Sequence, residues 1–269
     1  AFLAAVVFGN KTPIVLSRRV DFKISNSIFS RWKYNHPSIK KIITVSEAIK
    51  KIITPVIQHP DKITVVYDGI DLSRYEGSIH KEELLQSCQL PSDKKLIGNF
   101  SALADHKDYP TFIRTVKELV KSRNDLHFVV AGDGPLKEEI MNSVKTEQLD
   151  SVITFLGFRS DVPSILKLLD VFLMTSKTEG LGSVLLEAFA CGVPVVATTA
   201  GGIPEIVKHN ETGLTAPVGD EKGLAAAVEN LLDDATLRNT IVQNASAQVN
   251  HFSVKETALQ TKAVYQSLI

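Results

Sequence analysis

The chain has 269 residues, of which 44% are hydrophobic and 22% are charged, and its formal net charge is zero. This composition excludes extensive disorder, and zero net charge without a basic aromatic surface argues against nucleic-acid binding. A membrane span needs roughly 18 to 20 uninterrupted apolar residues. The apolar start at residues 1–8 is too short and Glu187 interrupts the best window, so we expect no membrane span.

Positive charge is concentrated near the start of the chain. Of the 30 Lys and Arg and the 30 Asp and Glu, residues 1–72 hold 11 and 5, so this part carries +6 and the remainder −6. A solvated face explains the scattered basic pairs most simply, and contact with an anionic membrane or an anionic acceptor is the alternative. The two cysteines are far apart and fit a reducing compartment. We therefore expect a cytoplasmic protein, with peripheral contact at the inner face of the membrane as the alternative.

Short apolar segments alternate with amphipathic segments over nearly the whole length. The predicted strands are Pro13–Leu16, Lys41–Val45, Ile63–Tyr67, Lys95–Phe100, His127–Ala131, Val152–Leu156, Val171–Met174 and Pro194–Ala197. The predicted helices are Ser46–Ile53, Tyr109–Ser122, Leu136–Glu147, Val162–Leu169, Ser183–Ala190, Gly202–Val207 and Glu221–Asp233. This alternation indicates an α/β fold with doubly wound parallel sheets. A polar stretch containing Gly77 and Pro91 interrupts it and predicts a domain boundary near residue 72.

Two glutamates separated by seven residues mark the most informative segment. Glu179 and Glu187 accompany a buried strand, a turn with Gly180 and Gly182, and a helix that starts at Ser183. Backbone N–H groups in such a turn and the positive end of the helix suit an anionic group. Sugar hydroxyls suit the two carboxylates. The segment therefore predicts a binding site.

A second glycine turn follows the strand that ends at Ala131. Gly132 and Gly134 let the backbone pass close to a ligand, although the geometry of a strand-to-helix turn explains them equally well. The turn is not a dinucleotide fingerprint, because Lys137 stands where the third glycine is required. We therefore expect no nicotinamide cofactor.

Lys107 lies in the loop after the strand Lys95–Phe100. That loop leaves the carboxyl edge of the predicted sheet, where open α/β sheets bind ligands, so Lys107 can reach a diphosphate. A solvated loop is the alternative. No P-loop, zinc-protease, nucleophile-elbow or Asp-x-Asp motif occurs, and no metal dependence is predicted.

A third glycine turn, Gly201-Gly202, precedes a helix that carries Glu205 in its first turn. A carboxylate at that position stabilises its own helix by interacting with the helix dipole. Glu205 therefore needs no ligand to explain it.

Seven motifs, taken in chain order, resemble a single family. They are Val45-Ser46-Glu47-Ala48, Val66-Tyr67-Asp68-Gly69-Ile70-Asp71, His106-Lys107, Ala131-Gly132-Asp133-Gly134-Pro135, Phe155-Leu156-Gly157-Phe158, the Glu179/Glu187 segment and Gly201-Gly202-Ile203-Pro204-Glu205. The set is similar to the family 4 retaining glycosyltransferases of the GT-B fold. The resemblance implies two Rossmann-like domains that face a cleft.

The resemblance also implies a division of the chain. Residues 1–72 correspond to the last part of the acceptor-side N-terminal domain, residues 73–250 to a complete nucleotide-sugar-binding C-terminal domain, and residues 251–269 to a helix that crosses back. The opening strand of the N-terminal domain and its glycine-rich loop have no counterpart in this sequence. We therefore expect the chain to bind donor nucleotide but to transfer little sugar alone.

The activity implied by the resemblance is metal-independent transfer of a hexose, with retained configuration and without a cofactor. The donor is a UDP-sugar or a GDP-sugar, and the acceptor is a hydroxyl of a glycan or lipid-linked acceptor in cell-envelope glycan or glycolipid synthesis. A nucleotide-sugar epimerase on the same fold and a non-catalytic nucleotide-sugar-binding subunit are the alternatives. The sequence identifies neither the base nor the sugar.

The resemblance assigns roles residue by residue. Glu179 is placed on the donor sugar, Lys107 on the diphosphate and Glu187 on the ribose hydroxyls. The remaining binding positions are the backbone of Gly180, Leu181 and Gly182, the helix start at Ser183, and Gly132, Gly134, Phe158 and Arg159 around the base.

Two positions depart from the family pattern. Ala102 stands where an arginine usually precedes the lysine by five residues, and Arg19 stands where a histidine is common near the reacting carbon, which makes Arg19 the third catalytic candidate. A lost charge-assisted phosphate contact costs about 1.5 to 3 kcal/mol. Arg159, Arg18 or Arg19 would have to replace the missing cation.

Overall fold

The computed structural model describes residues 2–9, 11–25 and 27–268, in which nine strands form two parallel sheets. Ala1, in the predicted apolar start, lies outside the described residues. The smaller sheet has the order β1-β2-β3 and the larger has the order β6-β5-β4-β7-β8-β9. The strands are β1 (Ile14–Arg18), β2 (Ile39–Thr44), β3 (Ile63–Val65), β4 (Lys95–Phe100), β5 (Leu126–Ala131), β6 (Ile153–Gly157), β7 (Val171–Met174), β8 (Val195–Thr198) and β9 (Leu214–Ala216).

Helices connect the strands. Those of the described residues are α1 (Phe2–Val7), α2 (Ile28–Asn35), α3 (Glu47–Ile53), α4 (Lys81–Ser87), α5 (Tyr109–Leu119), α6 (Lys137–Thr146), α7 (Val162–Leu166), α8 (Ser183–Ala190), α9 (Ile203–Ile206), α10 (Glu221–Asp233), α11 (Ala235–Val249) and α12 (Val254–Gln266). No helix within the described ranges has the length and apolar character needed to cross a membrane.

The strand order of the larger sheet fixes where a ligand can bind. β5 and β6 are added on one side of β4, whereas β7, β8 and β9 are added on the other. The direction of strand addition therefore reverses between β4 and β7, which pair through Gly98 and Phe172. Ligands of open α/β sheets bind at such a reversal, outside the carboxyl ends of the strands. The loops that follow β4 and β7 carry Lys107 and Glu179.

Apolar side chains cover both faces of the larger sheet. Phe128 and Val130 of β5 pack in the cluster that contains residues of α5 and α10, while Val129 packs on the opposite face with residues of α8. The central strands are almost continuously apolar because parallel strands are buried on both faces. The α8-side cluster continues into the smaller sheet, where it includes Ile42 and Ile49. The two sheets therefore share one apolar core.

The chain passes between the two sheets twice, after β3 and before α12. The two crossings are joined, because the Ile70 amide donates to the Phe252 carbonyl (2.9 Å) and the Val254 amide donates to the Ile70 carbonyl (3.0 Å). A Cβ atom on Gly69 would lie 2.3 Å from the backbone of Ser253, so this close approach requires glycine. α12 then packs on the smaller sheet. The division at residues 72 and 250 stays a prediction.

All eight predicted strands are present, with ends within two residues of the predicted ones. β9, α2, α4 and α11 were not predicted. β9 has only three residues, and α11 buries only Ile241, Ala245 and Val249, which is a single narrow apolar stripe. Such a thin stripe is a weak periodic signal.

Candidate functional site

The turn between β7 and α8, residues 175–182 (hereafter the β7–α8 turn), forms the centre of the candidate site. Gly182 has a φ of +88° and begins α8, whose N-terminus has no side-chain cap in the described structure. The α8 amides and dipole therefore suit an anion at the crevice. Ser183 is exposed at this helix start, whereas the Leu181 side chain is buried and leaves only its backbone for a ligand.

Lys107 and Glu179 meet across the crevice. The Lys107 Nζ lies 2.5 Å from the Glu179 Oε2, and the two side chains are 13% and 15% exposed. The Ser176 hydroxyl donates to the same carboxylate oxygen at 3.3 Å. The sequence places these residues 72 positions apart, and the carboxyl edge of the sheet brings them into contact. A cation and a carboxylate therefore stand together at the carboxyl edge of the larger sheet.

The loop that carries Lys107 is held in place by the neighbouring turns. Lys107 ends a short 3-10 turn, and Asp108 adopts a φ of +51° and caps α5 by accepting from the Thr111 amide. The Thr175 hydroxyl donates to the Lys107 carbonyl at 3.1 Å. These contacts position the Lys107 side chain before any ligand arrives.

A cavity of about 360 Å³ lies between the loop after β4, the turn after β5 and the first two turns of α8. Its lining includes four of the predicted binding residues, Gly132, Phe158, Arg159 and Glu187, together with Ala102. The Phe158 ring is 79% exposed and offers an apolar face of the kind on which a planar base stacks. Three of the four base positions predicted from sequence therefore share one cavity with the predicted ribose position, whereas the fourth, Gly134, is not among the residues that line it.

Packing between loops accounts for the glycines of the β5–α6 turn. Gly132 has a φ of +148°, and a Cβ atom there would lie 2.0 Å from the Ser101 carbonyl oxygen. A Cβ atom on Gly134 would lie 2.4 Å from the Leu103 carbonyl oxygen. The two glycines let this turn pack against the loop that follows β4. Their contact with a ligand stays a prediction.

Glu187 lies in the second turn of α8 and lines the cavity. Burial raises the pKa of its carboxyl group, and a hydrogen bond from Tyr75 together with the charge of Arg74 offsets part of that rise. The Tyr75 side chain is buried, and burial and the nearby Glu187 carboxylate raise its pKa as well. Sequence reasoning missed Tyr75 because it lies in the polar stretch after β3 without any motif. The Glu187 carboxylate is thus an acceptor that loses hydration in the folded protein.

Glu187→Gln is expected to stabilise the protein at pH 7 and to weaken nucleotide binding. Because the folded-state pKa of Glu187 lies above its unfolded value, stability falls as pH rises through the interval between the two values. Glutamine is neutral, so the folded protein does not lose the stability that the buried, ionised Glu187 costs it. Its side chain, however, accepts hydrogen bonds through one oxygen only. Thermal unfolding at pH 7 and near pH 3.5, below the unfolded value of about 4.3, measures the effect.

The stability gain of Glu187→Gln should vanish at the lower pH. Glu138→Gln, at an exposed position of α6, is the control and should change stability by less than about 0.5 kcal/mol. An equal gain at both pH values would contradict a charge effect at Glu187.

The arginines that could replace the missing cation at position 102 have partners elsewhere. Arg159 forms two hydrogen bonds with Asp161, at 2.9 and 2.6 Å. Arg18 donates to the Tyr34 hydroxyl at 3.3 Å. Ala102 brings no charge to the cavity, and Arg159, which lines the same cavity, is already paired with Asp161.

Arg19 approaches the β7–α8 turn with its main chain. Its carbonyl oxygen would lie 2.9 Å from a Cβ atom on Gly180. Its guanidinium forms an ion pair with Asp68 at 2.7 Å and is 66% exposed. Burial raises the pKa of Asp68, and Arg19 opposes that rise. The guanidinium lines a separate groove of about 560 Å³ along α12. A catalytic role of Arg19 stays a prediction.

Glu205 does not cap its own helix, so the interpretation from sequence needs correction. Both of its carboxylate oxygens accept hydrogen bonds from α3, and α9 has no side-chain cap at its N-terminus. The glycines before it pack on the β7–α8 turn, with the Gly202 amide donating to the Glu179 carbonyl at 2.9 Å. Glu205 therefore connects the smaller sheet to the candidate site.

Within the described residues, no group of three or more His, Cys, Asp or Glu side chains is arranged to hold a metal ion. The expectation that the reaction needs no metal stays a prediction.

The profile of the family described as "Glycosyl transferases group 1" matches residues 80–248, which is more than half of the chain. This region contains Lys107, Glu179, Glu187 and the whole larger sheet. The chain therefore belongs to the group 1 glycosyl transferases.

Individual relatives agree with this assignment. The chain is 27% identical over 282 aligned positions to the N-acetyl-alpha-D-glucosaminyl L-malate synthase of Bacillus anthracis, covering 100% of this chain and 71% of that protein. It is 32% identical over 214 aligned positions to the lipopolysaccharide core biosynthesis mannosyltransferase LpsB of Rhizobium meliloti, covering 77% of this chain and 61% of that protein. The chain thus spans about two thirds of the length of these relatives.

The fold is shared with HepE of Anabaena, whose crystal structure contains UDP-glucose. The TM-score is 0.88 at 25% identity, and the match covers 99% of this chain and 74% of the HepE chain. The fold is therefore of the GT-B type, with a six-stranded and a three-stranded parallel sheet.

Proposed function

We propose that this chain binds a nucleotide diphosphate sugar and acts as a retaining glycosyltransferase, which moves the sugar to a hydroxyl acceptor. The observation that carries the proposal is the contact between Lys107 and Glu179 at the start of α8, the helix whose Glu187 lines the cavity. Family membership supports the same donor class. No part of the proposal requires a cofactor.

In this proposal, different residues of the site bind the diphosphate, the sugar and the ribose of the donor. Cleavage of the bond between sugar and diphosphate builds negative charge on the leaving group, and a fixed cation and amide dipoles lower the barrier by stabilising that charge. Lys107 supplies the fixed cation, and the N-terminus of α8 supplies the amide dipoles. The sugar gains oxocarbenium character in the transition state, and Glu179 accepts from its hydroxyls. Glu187 accepts from the ribose.

The proposed donor is a UDP-sugar first and a GDP-sugar second. HepE binds UDP-glucose, which favours the uridine nucleotide. The proposed acceptor is a hydroxyl of a glycan or lipid-linked acceptor in envelope glycan synthesis, as the name of the Rhizobium relative suggests. The basic residues 1–72 are consistent with a peripheral approach to an anionic membrane or acceptor.

Calorimetric titration of the chain with UDP, GDP and ADP tests the donor class, and mass measurement of released sugar tests turnover. UDP or GDP is expected to bind, and Glu187→Ala is expected to weaken that binding about tenfold, the effect of losing one charged hydrogen bond of about 1.5 kcal/mol. Glu138→Ala is the control and should bind as the wild type does. The proposal fails if neither UDP nor GDP binds and Glu187→Ala changes nothing.

A non-catalytic nucleotide-sugar-binding subunit is the second candidate. Ala102 favours it, because this residue lines the cavity where the family pattern calls for a phosphate-binding arginine. Release of sugar from the bound donor by this chain alone would remove the second candidate.

A further inference from the structure

Glu205 forms a short bridge between the two sheets. Its carboxylate oxygens accept from the Glu47 amide (2.8 Å) and the Ala48 amide (2.8 Å), and one of them also accepts from the Tyr67 hydroxyl (2.9 Å). Glu205 lies on α9 after β8, whereas these three donors belong to α3 and to the segment after β3. The partners are up to 158 positions away in sequence.

The Glu205 carboxylate supplies hydrogen-bond acceptors to the N-terminus of α3. The first three amides of a helix have no partner within the helix. Here Glu205 satisfies the first two, and the Ser46 hydroxyl accepts from the third, that of Ile49, at 3.2 Å. All three donors to Glu205 are neutral, so the carboxylate is held by two amides, the α3 dipole and a phenol. Both carboxylate oxygens of Glu205 accept hydrogen bonds, whereas a glutamine side chain has only one oxygen to accept them.

The other end of the bridge rests on the backbone of the β7–α8 turn. A Cβ atom on Gly201 would lie 2.0 Å from the Glu179 carbonyl oxygen, and one on Gly202 would lie 2.3 Å from the Gly180 carbonyl oxygen. Glu205 follows Gly201 by four positions and Gly202 by three, in the short helix α9. Glu205 therefore links α3 to a segment that packs on the backbone carrying Glu179.

The bridge also closes a ring of contacts. α3 approaches the β7–α8 turn directly, since the Ile49 Cδ1 would lie 3.4 Å from a Cβ atom on Gly180, and the Arg19 carbonyl flanks the same glycine. Thus α3 touches the turn at Ile49 and reaches it again through Glu205. Two contacts with one turn fix both the distance and the orientation of the smaller sheet.

We propose that Glu205 is a positioning residue for sugar transfer: it locks α3 and the Arg19 segment against the β7–α8 turn and so sets the acceptor side relative to the donor sugar. This inference rests on the proposed function. Displacement of a reacting group by about 1 Å can cost a hundredfold in rate. Glu205 touches neither the cavity lining nor the Lys107–Glu179 pair, so its loss should alter turnover rather than nucleotide affinity.

The test compares the wild type with Glu205→Ala, Glu205→Gln and Tyr67→Phe. Asp234→Asn is the matched control, because Asp234 also caps a helix, but its carboxylate accepts from the Leu237 amide (2.9 Å) of α11, the helix that directly follows it. Four quantities are measured: amide hydrogen exchange at Glu47 and Ala48, the nuclear Overhauser contact between the Ile49 δ1 methyl and Gly180, the affinity for UDP, and sugar release at saturating nucleotide sugar.

In Glu205→Ala we expect amide exchange to accelerate at least tenfold, the Overhauser contact to weaken, UDP affinity to stay within twofold, and sugar release to fall at least tenfold. Glu205→Gln should show the same changes to a smaller degree. It replaces Glu205→Ala in the test if the alanine variant folds poorly. Tyr67→Phe should be milder still, and Asp234→Asn should change none of the four quantities.

The inference is overturned if the Overhauser contact persists in Glu205→Ala, if UDP affinity falls as much as sugar release, or if Asp234→Asn reproduces the loss. A wild type that binds no nucleotide overturns the proposed function instead, because amide exchange and the Overhauser contact test the bridge without nucleotide.

Discussion

Glu179→Gln should bind UDP more tightly than the wild type and release sugar about a hundredfold more slowly. In the unliganded protein the Glu179 carboxylate neutralises Lys107 at 2.5 Å, so a diphosphate must displace it. Glutamine removes that competitor, and a gain of about 1.4 kcal/mol corresponds to a tenfold tighter complex. The same change removes the charged acceptor for the sugar hydroxyls and the negative charge beside the oxocarbenium-like transition state.

Calorimetry with UDP and product analysis with the nucleotide sugar measure the two effects separately. Asp105→Asn is the matched control, because the Lys177–Asp105 pair joins the same two loops at 3.0 Å but its side chains are 41% and 85% exposed. Exposed pairs contribute little, so this variant should match the wild type in both assays. Weaker UDP binding by Glu179→Gln would contradict competition for Lys107.

Gly201→Ala should lower the free energy of unfolding by about 3 kcal/mol or more and abolish detectable UDP binding. Two costs combine at this position. The φ of +50° disfavours any side chain, by about 1 kcal/mol. A Cβ atom 2.0 Å from the Glu179 carbonyl oxygen also forces the backbone of the β7–α8 turn to move. Thermal unfolding should show a decrease of roughly 6 to 12 °C for a chain of this size.

Gly219→Ala separates the two costs. Gly219 has a φ of +80°, but nothing lies within 4 Å of its Cβ position, so only the backbone cost applies. We expect a loss of about 1 kcal/mol there and unchanged UDP binding. Equal destabilisation by the two variants would show that the contact with Glu179 relaxes without cost.

The alternation of apolar strands and amphipathic helices was sufficient to predict five of the six strands of the larger sheet, all except β9. Apart from Lys95 at the start of β4, the residues of β4, β5, β7 and β8 are buried on both faces. Their sequences are therefore mainly apolar and easy to recognise, although Asn99 and His127 interrupt them. The sequence also placed the loops that carry Lys107 and Glu179 at the carboxyl edge of one parallel sheet, but it did not predict the ion pair between the two side chains.

Other parts of the candidate site depend on contacts that no local pattern encodes. Glu205 has the same sequence context whether it caps α9 or α3, and only the packing of the two sheets decides between them. Tyr75 reaches Glu187 from the polar stretch after β3 for the same reason. Gly132 was ambiguous because approach to a ligand and approach to the Ser101 carbonyl both require the absence of a Cβ atom.

The paired crossings between the two sheets have a mechanical consequence. The Ile70 amide donates to Phe252 and the Ile70 carbonyl accepts from Val254. The segment after β3 and the segment before α12 therefore form one two-stranded hinge instead of two separate connections. Tyr67 adds to this hinge, since its ring packs edge-on against Phe252 at 5.5 Å while its hydroxyl reaches Glu205. The two sheets are thereby joined at two separate places, by the paired segments beside Gly69 and by Glu205.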